Sequence, residues 1–113
     1  MPSLPNYLRL KRKQFSLTQE EVAFLLGVKG MDRGGKVSRD ENSSRTPTLE
    51  TALGYEAMYG IPIRELFAGL YEQIAQEVFS RAKILSYRKS EAPDPKKQQL
   101  LSELAAHNYK PVS

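Results

Sequence analysis

Apolar residues recur along this chain at spacings of three and four and never alternate over a sustained run, a pattern that predicts helices throughout. In "LPNYLRLKRKQF", Leu4, Tyr7, Leu8 and Phe15 follow helical spacing around a basic face, and a first helix is expected over about Pro5 to Gln14. "SLTQEEVAFLLG" comes next. Thr18 and Glu21 fit the S/T-x-x-E capping box, which satisfies open amides at a helix start. Val22, Leu25 and Leu26 give an apolar face, and Gly27 is placed to end the helix in a left-handed conformation. A glycine-rich basic connector, Lys29 to Gly35, is expected to be mobile in the absence of a partner. A short third helix follows in "KVSRDENS", with Pro47 ending the loop after it.

Thr48 and Gly60 bracket a fourth helix, with Leu49, Ala52, Leu53, Ala57 and Met58 on its apolar side. Pro62, favoured at a first helical position, opens a long fifth helix whose stripe includes Leu70, Ile74, Val78 and Phe79. "SEAPDP", about residues 90–95, reads as a linker, and "KKQQLLSELAAHN" as a terminal amphipathic helix on Leu100, Leu101 and Leu104. The expected fold class is all-α.

A chain of 113 residues fits one compact domain plus an appendage. It has no cysteine, so neither disulfides nor thiolate metal sites arise. No apolar run reaches the roughly 20 residues that span a bilayer, and a cytoplasmic location is expected. Charge changes the picture more. Residues 1–47 hold nine Lys or Arg against five Asp or Glu, a balance of +4, whereas residues 48–113 hold eight of each. The whole excess lies in the first part of the chain. A localised basic surface points toward a polyanion, nucleic acid above all; the plain alternative is a solvated basic face.

Gly30-x-x-x-x-Gly35-Lys36 imitates a phosphate-binding loop. Such a loop follows a strand and needs Ser or Thr after its Lys to hold magnesium. Here an amphipathic helix precedes it and Val37 follows Lys36, so the motif is rejected. Two short helices joined by a glycine-containing turn instead form a helix-turn-helix.

The residues around it carry a resemblance. Leu8-Arg9-x-x-Arg12-x-x-x-Ser16-Leu17-Thr18-Gln19-Glu20-Glu21, then Leu26-Gly27-Val28, Val37-Ser38-Arg39-x-Glu41-Asn42 and Arg45-x-Pro47-x-Leu49, closely resemble the lambda-repressor-like (XRE, Cro-type) helix-turn-helix regulators over roughly residues 4–70. The resemblance implies a five-helix domain over residues 4–70 that binds duplex DNA, usually as a homodimer. Its second helix would begin near a phosphate and its third, about Gly35 to Ser43, would enter the major groove. Residues 71–113 form a helical extension: the continuation of the fifth helix, the linker and the terminal helix. Two features depart from the family. The connector carries about four extra residues, and Asp40 stands where the family usually has an apolar or aromatic residue.

At ~100° per residue, Val37 and Glu41 fall on one side of the third helix, and Lys36, Arg39, Asn42 and Ser43 on the other. Val37 is then expected to fix that helix to the second. Lys36 and Arg39 are expected to reach the groove, where the Arg fork matches guanine O6 and N7. Gln19, at the start of the second helix, is placed for a phosphate. Asn42, Ser44 and Arg45 are placed for the next phosphates, with Lys29 and Arg33 as further contacts from the connector. Thr18 is assigned to capping. The resemblance implies a salt bridge between Arg12 and Glu41, and Glu41 is not expected to touch DNA, since its charge would repel phosphate.

Nothing else carries chemistry. His107, the only histidine, has no Cys or acidic cluster beside it, and no nucleophile–base constellation appears, so neither a metal, a cofactor nor an enzyme is expected. The expected function is that of a sequence-specific duplex DNA-binding transcriptional regulator. The alternative is a protein-interaction module of the same fold, an antitoxin or anti-regulator, with residues 71–113 meeting the protein partner. A membrane-surface helix over residues 62–89 ranks last, because its polar face mixes Arg and Lys with Glu.

Overall fold

The computed structural model describes residues 4–88 and 94–107. Seven helices and no strand occur among the described residues: α1 (Leu8–Gln14), α2 (Gln19–Leu26), α3 (Arg33–Glu41), α4 (Leu49–Tyr59), α5 (Ile63–Leu66), α6 (Ala68–Ser86) and α7 (Pro95–Ala106). The chain forms two compact units, with the boundary inside α6 between Leu70 and Tyr71.

Local rules set most helix ends in the first unit. The Glu21 amide donates to Thr18 Oγ1 at 3.0 Å and the Thr18 amide to Glu21 Oε1 at 2.8 Å, so both halves of the capping box are made. Gly27 ends α2 at φ 73° and returns its amide to the carbonyls of Ala23 and Phe24; an L side chain there would crowd the following carbonyl. Thr48 caps α4 through the Thr51 amide, and Gly60 stops it.

Four expectations need correction. The first helix starts at Leu8, not near Pro5: Asn6 Oδ1 accepts the Leu8 amide at 3.1 Å and Pro5 stays outside. The third helix starts at Arg33, so Arg33, Gly34 and Gly35 belong to α3 and the connector is correspondingly short. Its other end comes early as well. Asn42 is the cap and Ser43 sits at φ 64°, outside the helix.

The third correction concerns α4. It buries Ala52, Tyr55 and Tyr59, while Leu49 and Leu53 are exposed. An aromatic ring removes more area from water than a leucine does, provided its hydroxyl finds a partner, and Tyr55 finds one in Asp40. The rings join a stack: Phe15 lies 6.2 Å from Tyr59, Tyr59 6.3 Å from Tyr55, and Phe67 meets Tyr55 edge-on at 6.2 Å. Each such pair is worth about 0.5–1.5 kcal/mol beyond its burial. Leu8, Val22, Ala23, Val37 and Leu66 complete this core. Gly54 lets α4 approach α2 closely, since a Cβ there would lie 2.7 Å from Leu26 Cδ2.

Fourth, the long fifth helix is broken. Phe67 leaves helical geometry at φ −113°, ψ 47°, so α6 is a new helix and not a continuation of α5. The Leu66 carbonyl is drawn out of the ladder to accept the Tyr7 amide at 2.7 Å, and the Gly69 amide donates to the Leu4 carbonyl at 3.2 Å. A Cβ on Gly69 would strike the Pro5 backbone. Pro62 precedes α5 as its cap, and the Ile63 amide donates to Glu56 Oε1 at 2.9 Å.

In the second unit, α6 buries Ala75 and Ala82 and α7 buries Leu101. Phe79 stacks on His107 at 4.3 Å. Ile74 and Val78 remain 48% and 43% exposed, and Leu100 is exposed too. The expected linker falls largely outside the described residues; from Asp94, whose carboxylate accepts the Lys96 amide, the chain already caps α7. Among the described residues no helix is long and apolar enough to cross a membrane.

Candidate nucleic-acid interface

The geometry of α3 starts from Val37, which is fully buried in the core with Val22 and Ala23 of α2. One turn on, Glu41 receives three donors: Arg12 Nε at 2.6 Å, Arg12 Nη2 at 3.1 Å and Gln19 Nε2 at 3.2 Å. Arg12 Nη1 donates to the Leu17 carbonyl at 3.0 Å. The Arg12 and Glu41 side chains are only 12% and 4% exposed. A forked, desolvated pair of this kind fixes direction more than it adds net stability. The hydrogen bond from Arg12 to Glu41 raises the Arg12 pKa, against the opposing effect of burial.

Asp40, on the same helix, is 2% exposed. Its Oδ2 accepts the Tyr55 hydroxyl at 2.9 Å. Arg45 Nε lies 3.0 Å from Oδ1 as an ion pair without hydrogen-bond alignment. Burial pushes the Asp40 carboxyl above its usual range, and the Tyr55 hydroxyl and the Arg45 charge offset this only in part. Burial, then the Asp40 charge, pushes the Tyr55 phenol far up. Burial likewise raises Tyr59, to about 12. The buried Asp40 is thus accommodated by a tyrosine from α4 and an arginine after α3.

These contacts place the remaining candidates. Gln19 and Arg45 hold internal carboxylates, and Arg45 keeps about a third of its side chain exposed, 34%. Thr18 caps α2. Asn42 Oδ1 accepts the Ser44 amide at 2.9 Å, and the amides of Ser44 and Arg45 both return to the Arg39 carbonyl. Ser43 Oγ accepts from Asn6 Nδ2 at 3.1 Å.

At the opposite end of α3, Arg33 pairs with Glu20 at 3.3 Å, and Asp32 reaches along the helix to Arg39 in its last turn at 3.1 Å. Lys36 Nζ donates to the Lys29 carbonyl at 3.2 Å. The short connector is tied to α3 through Lys36 and Arg39, with Gly30 at φ 109° making its turn and Met31 fully exposed.

A cleft of about 590 Å³ opens where α1, the start of α2 and the last turn of α3 meet; Arg9, Thr18, Gln19, Ser38 and Asn42 line it together with the Arg12–Glu41 pair and Leu17. Sequence reasoning assigned no role to Arg9, Ser38, Asn6 or Asp32. Arg9 and Ser38 had a signal, since both stand in the quoted pattern. Asn6 had only a local one, an Asn ahead of a helix, and nothing local foretold its reach to the Asp40 and Glu41 carbonyls at 3.0 and 3.3 Å. Compared with protein-family models, curated proteins and solved structures, the chain gives no match.

Proposed function

We propose that this chain is a sequence-specific, double-stranded DNA-binding transcriptional regulator of the lambda-repressor-like helix-turn-helix type, with α2 and α3 as the two helices of the motif. The observation that carries the reading is the two-sidedness of α3. Val37, Asp40 and Glu41 are tied inward, whereas Arg39 is exposed and Lys36 and Ser38 are partly so, on the outer face. The chain's entire positive excess lies in the segment that supplies this face. In the proposed complex the outer face of α3 enters the major groove. Arg39 reads a base there, and Arg9 with the start of α2, at the mouth of the cleft, meets the phosphates. Lys29, Arg33 and Lys36 add salt-dependent attraction.

One such helix covers only a few base pairs. A two-fold homodimer would present two, about 34 Å apart, on a near-palindromic site. The exposed Ile74 and Val78 supply an apolar seam for the second copy. Selection of bound sequences from a random duplex pool, followed by titration of the selected site over a salt series, tests the reading. A recovered consensus with steep salt dependence supports it, and recovery of no consensus overturns it.

A protein-interaction module is the second reading. It is favoured by the acidic partners that Arg33, Arg39 and Arg45 already have. Duplex binding that is absent at low salt would select it.

A further inference from the structure

Asp32 and Arg39 are seven residues apart, two turns along the face of α3, and still meet at 3.1 Å. Asp32 stands at the cap position of α3, yet its side chain makes no capping bond. Gly35 explains the route. A Cβ there would fall on the Asp32 carboxylate. The missing side chain leaves a channel in which the carboxylate lies along the helix toward Arg39.

We propose that Asp32 is a specificity-determining residue, holding the Arg39 guanidinium in the orientation that reads a guanine and penalising its use on phosphate. The proposal rests on the DNA-binding reading. Two physical effects support it. An arginine this exposed has many rotamers, and fixing one terminus of its fork on Asp32 removes much of that freedom before DNA arrives. The edge formed by Nε and Nη2 is left to donate to O6 and N7 together. A fixed negative charge beside the guanidinium also repels phosphate, so a duplex without guanine at that position gains little from Arg39. Discrimination then comes from a repulsive element as well as an attractive one.

The pair is solvent-exposed, so removing it leaves the core intact. Gly35→Ala provides an independent route. The atoms in its way are the far end of a flexible side chain, so the carboxylate swings aside while the helix, with alanine for glycine, becomes more stable.

The test uses the full chain and measures Kd on its selected site and on random duplex at one salt concentration. For Asp32→Ala, binding to random duplex should tighten about threefold through loss of the negative charge. The ratio of selected to random affinity should fall about tenfold, with choice relaxed at one base pair. Gly35→Ala should lower that ratio in the same way while raising the melting temperature. Arg39→Ala should also lower the ratio, but without tightening random binding. An unchanged ratio in Asp32→Ala, with wild-type binding intact, overturns this proposal alone. Absence of duplex binding by the wild-type chain overturns the parent reading and this one with it.

Discussion

The Tyr55 hydroxyl donates to Asp40 Oδ2 at 2.9 Å inside the core of the first unit, joining α4 to the inward face of α3. One turn along α4, the Tyr59 hydroxyl is buried too, but has no hydrogen-bond partner among the described residues. The two tyrosines stack on one another and are both buried, at 0% and 7% exposure, so the hydroxyls decide the difference. Tyr55→Phe should cost about 1–3 kcal/mol, because it strips a donor from a buried carboxylate. Tyr59→Phe should be neutral or stabilising by up to about 1 kcal/mol, because it removes a desolvated hydroxyl. Urea unfolding of the two variants measures the contrast, and equal losses would refute it. The Tyr59 phenol is raised to about 12, so its contribution is complete below its ordinary value of 10.0 and fades as pH climbs through 12. Tyr59→Phe should remove that alkaline loss.

Asp40 gives the second prediction. Its folded pKa lies above its ordinary value of 3.8, so between those two values the native chain holds a proton that the unfolded chain releases. The stability this supplies is complete below pH 3.8 and is lost as pH rises through the folded value. Asp40→Asn keeps an acceptor for Tyr55 and removes the titration. The variant should therefore gain on the wild-type chain as pH rises from about 3.5 into the neutral range. Unfolding free energies measured across that range decide the matter, and a constant gap would count against it.

Arg9 and Arg45 separate contact from scaffold. Arg9→Ala should flatten the salt dependence of duplex binding by about one unit of slope and leave stability within about 0.5 kcal/mol. Arg45→Ala should instead cost about 1–2 kcal/mol of folding stability; the usual penalty for orphaning a buried charge is larger, but partial exposure of Arg45 discounts it. Filter or fluorescence titrations over a salt series, paired with urea unfolding, distinguish the two. A stable Arg45→Ala variant with a flattened slope would return Arg45 to the phosphates.

For assembly, Ile74→Glu with Val78→Glu should give a folded monomer whose affinity for the selected site is much reduced. Both side chains are already about half-exposed, so the charges should leave the fold of one copy intact. Sedimentation of the variant and of the wild-type chain at micromolar concentration checks this. A variant that still dimerises would place the seam elsewhere.

Much of the fold was legible because the rules that set it act within a few residues. The capping pair of Thr18 and Glu21, the glycine ends at Gly27 and Gly60 and the Thr48 cap each depend on neighbours alone. The inward placement of Val37 needed only helical periodicity. What escaped depended on partners distant in sequence. Of the expected α4 face of Leu49, Ala52, Leu53, Ala57 and Met58, Ala52 is buried but both leucines are exposed, because Asp40 and the neighbouring rings turn the α4 tyrosines inward. The break at Phe67 comes from backbone bonds to residues 4–7, invisible to any local window. On the site, periodicity placed Lys36 and Arg39 on the outer face, but composition could not say that Arg33, Gly34 and Gly35 would join the helix. Nor could it say that Arg45 would be drawn to an aspartate.

The bonds from Tyr7 to Leu66 and from Gly69 to Leu4 also bear on how the molecule is made. On the ribosome, Leu4 to Tyr7 emerges while its partners at Leu66 to Gly69 have yet to be translated. Helices α1 to α4 can pair among themselves during that interval, but Leu66 and Phe67, which share the core with Leu8 and Tyr55, are missing until the later segment leaves the exit tunnel. The native core of the first unit therefore cannot be complete before α5 and the first turn of α6 are clear of the tunnel.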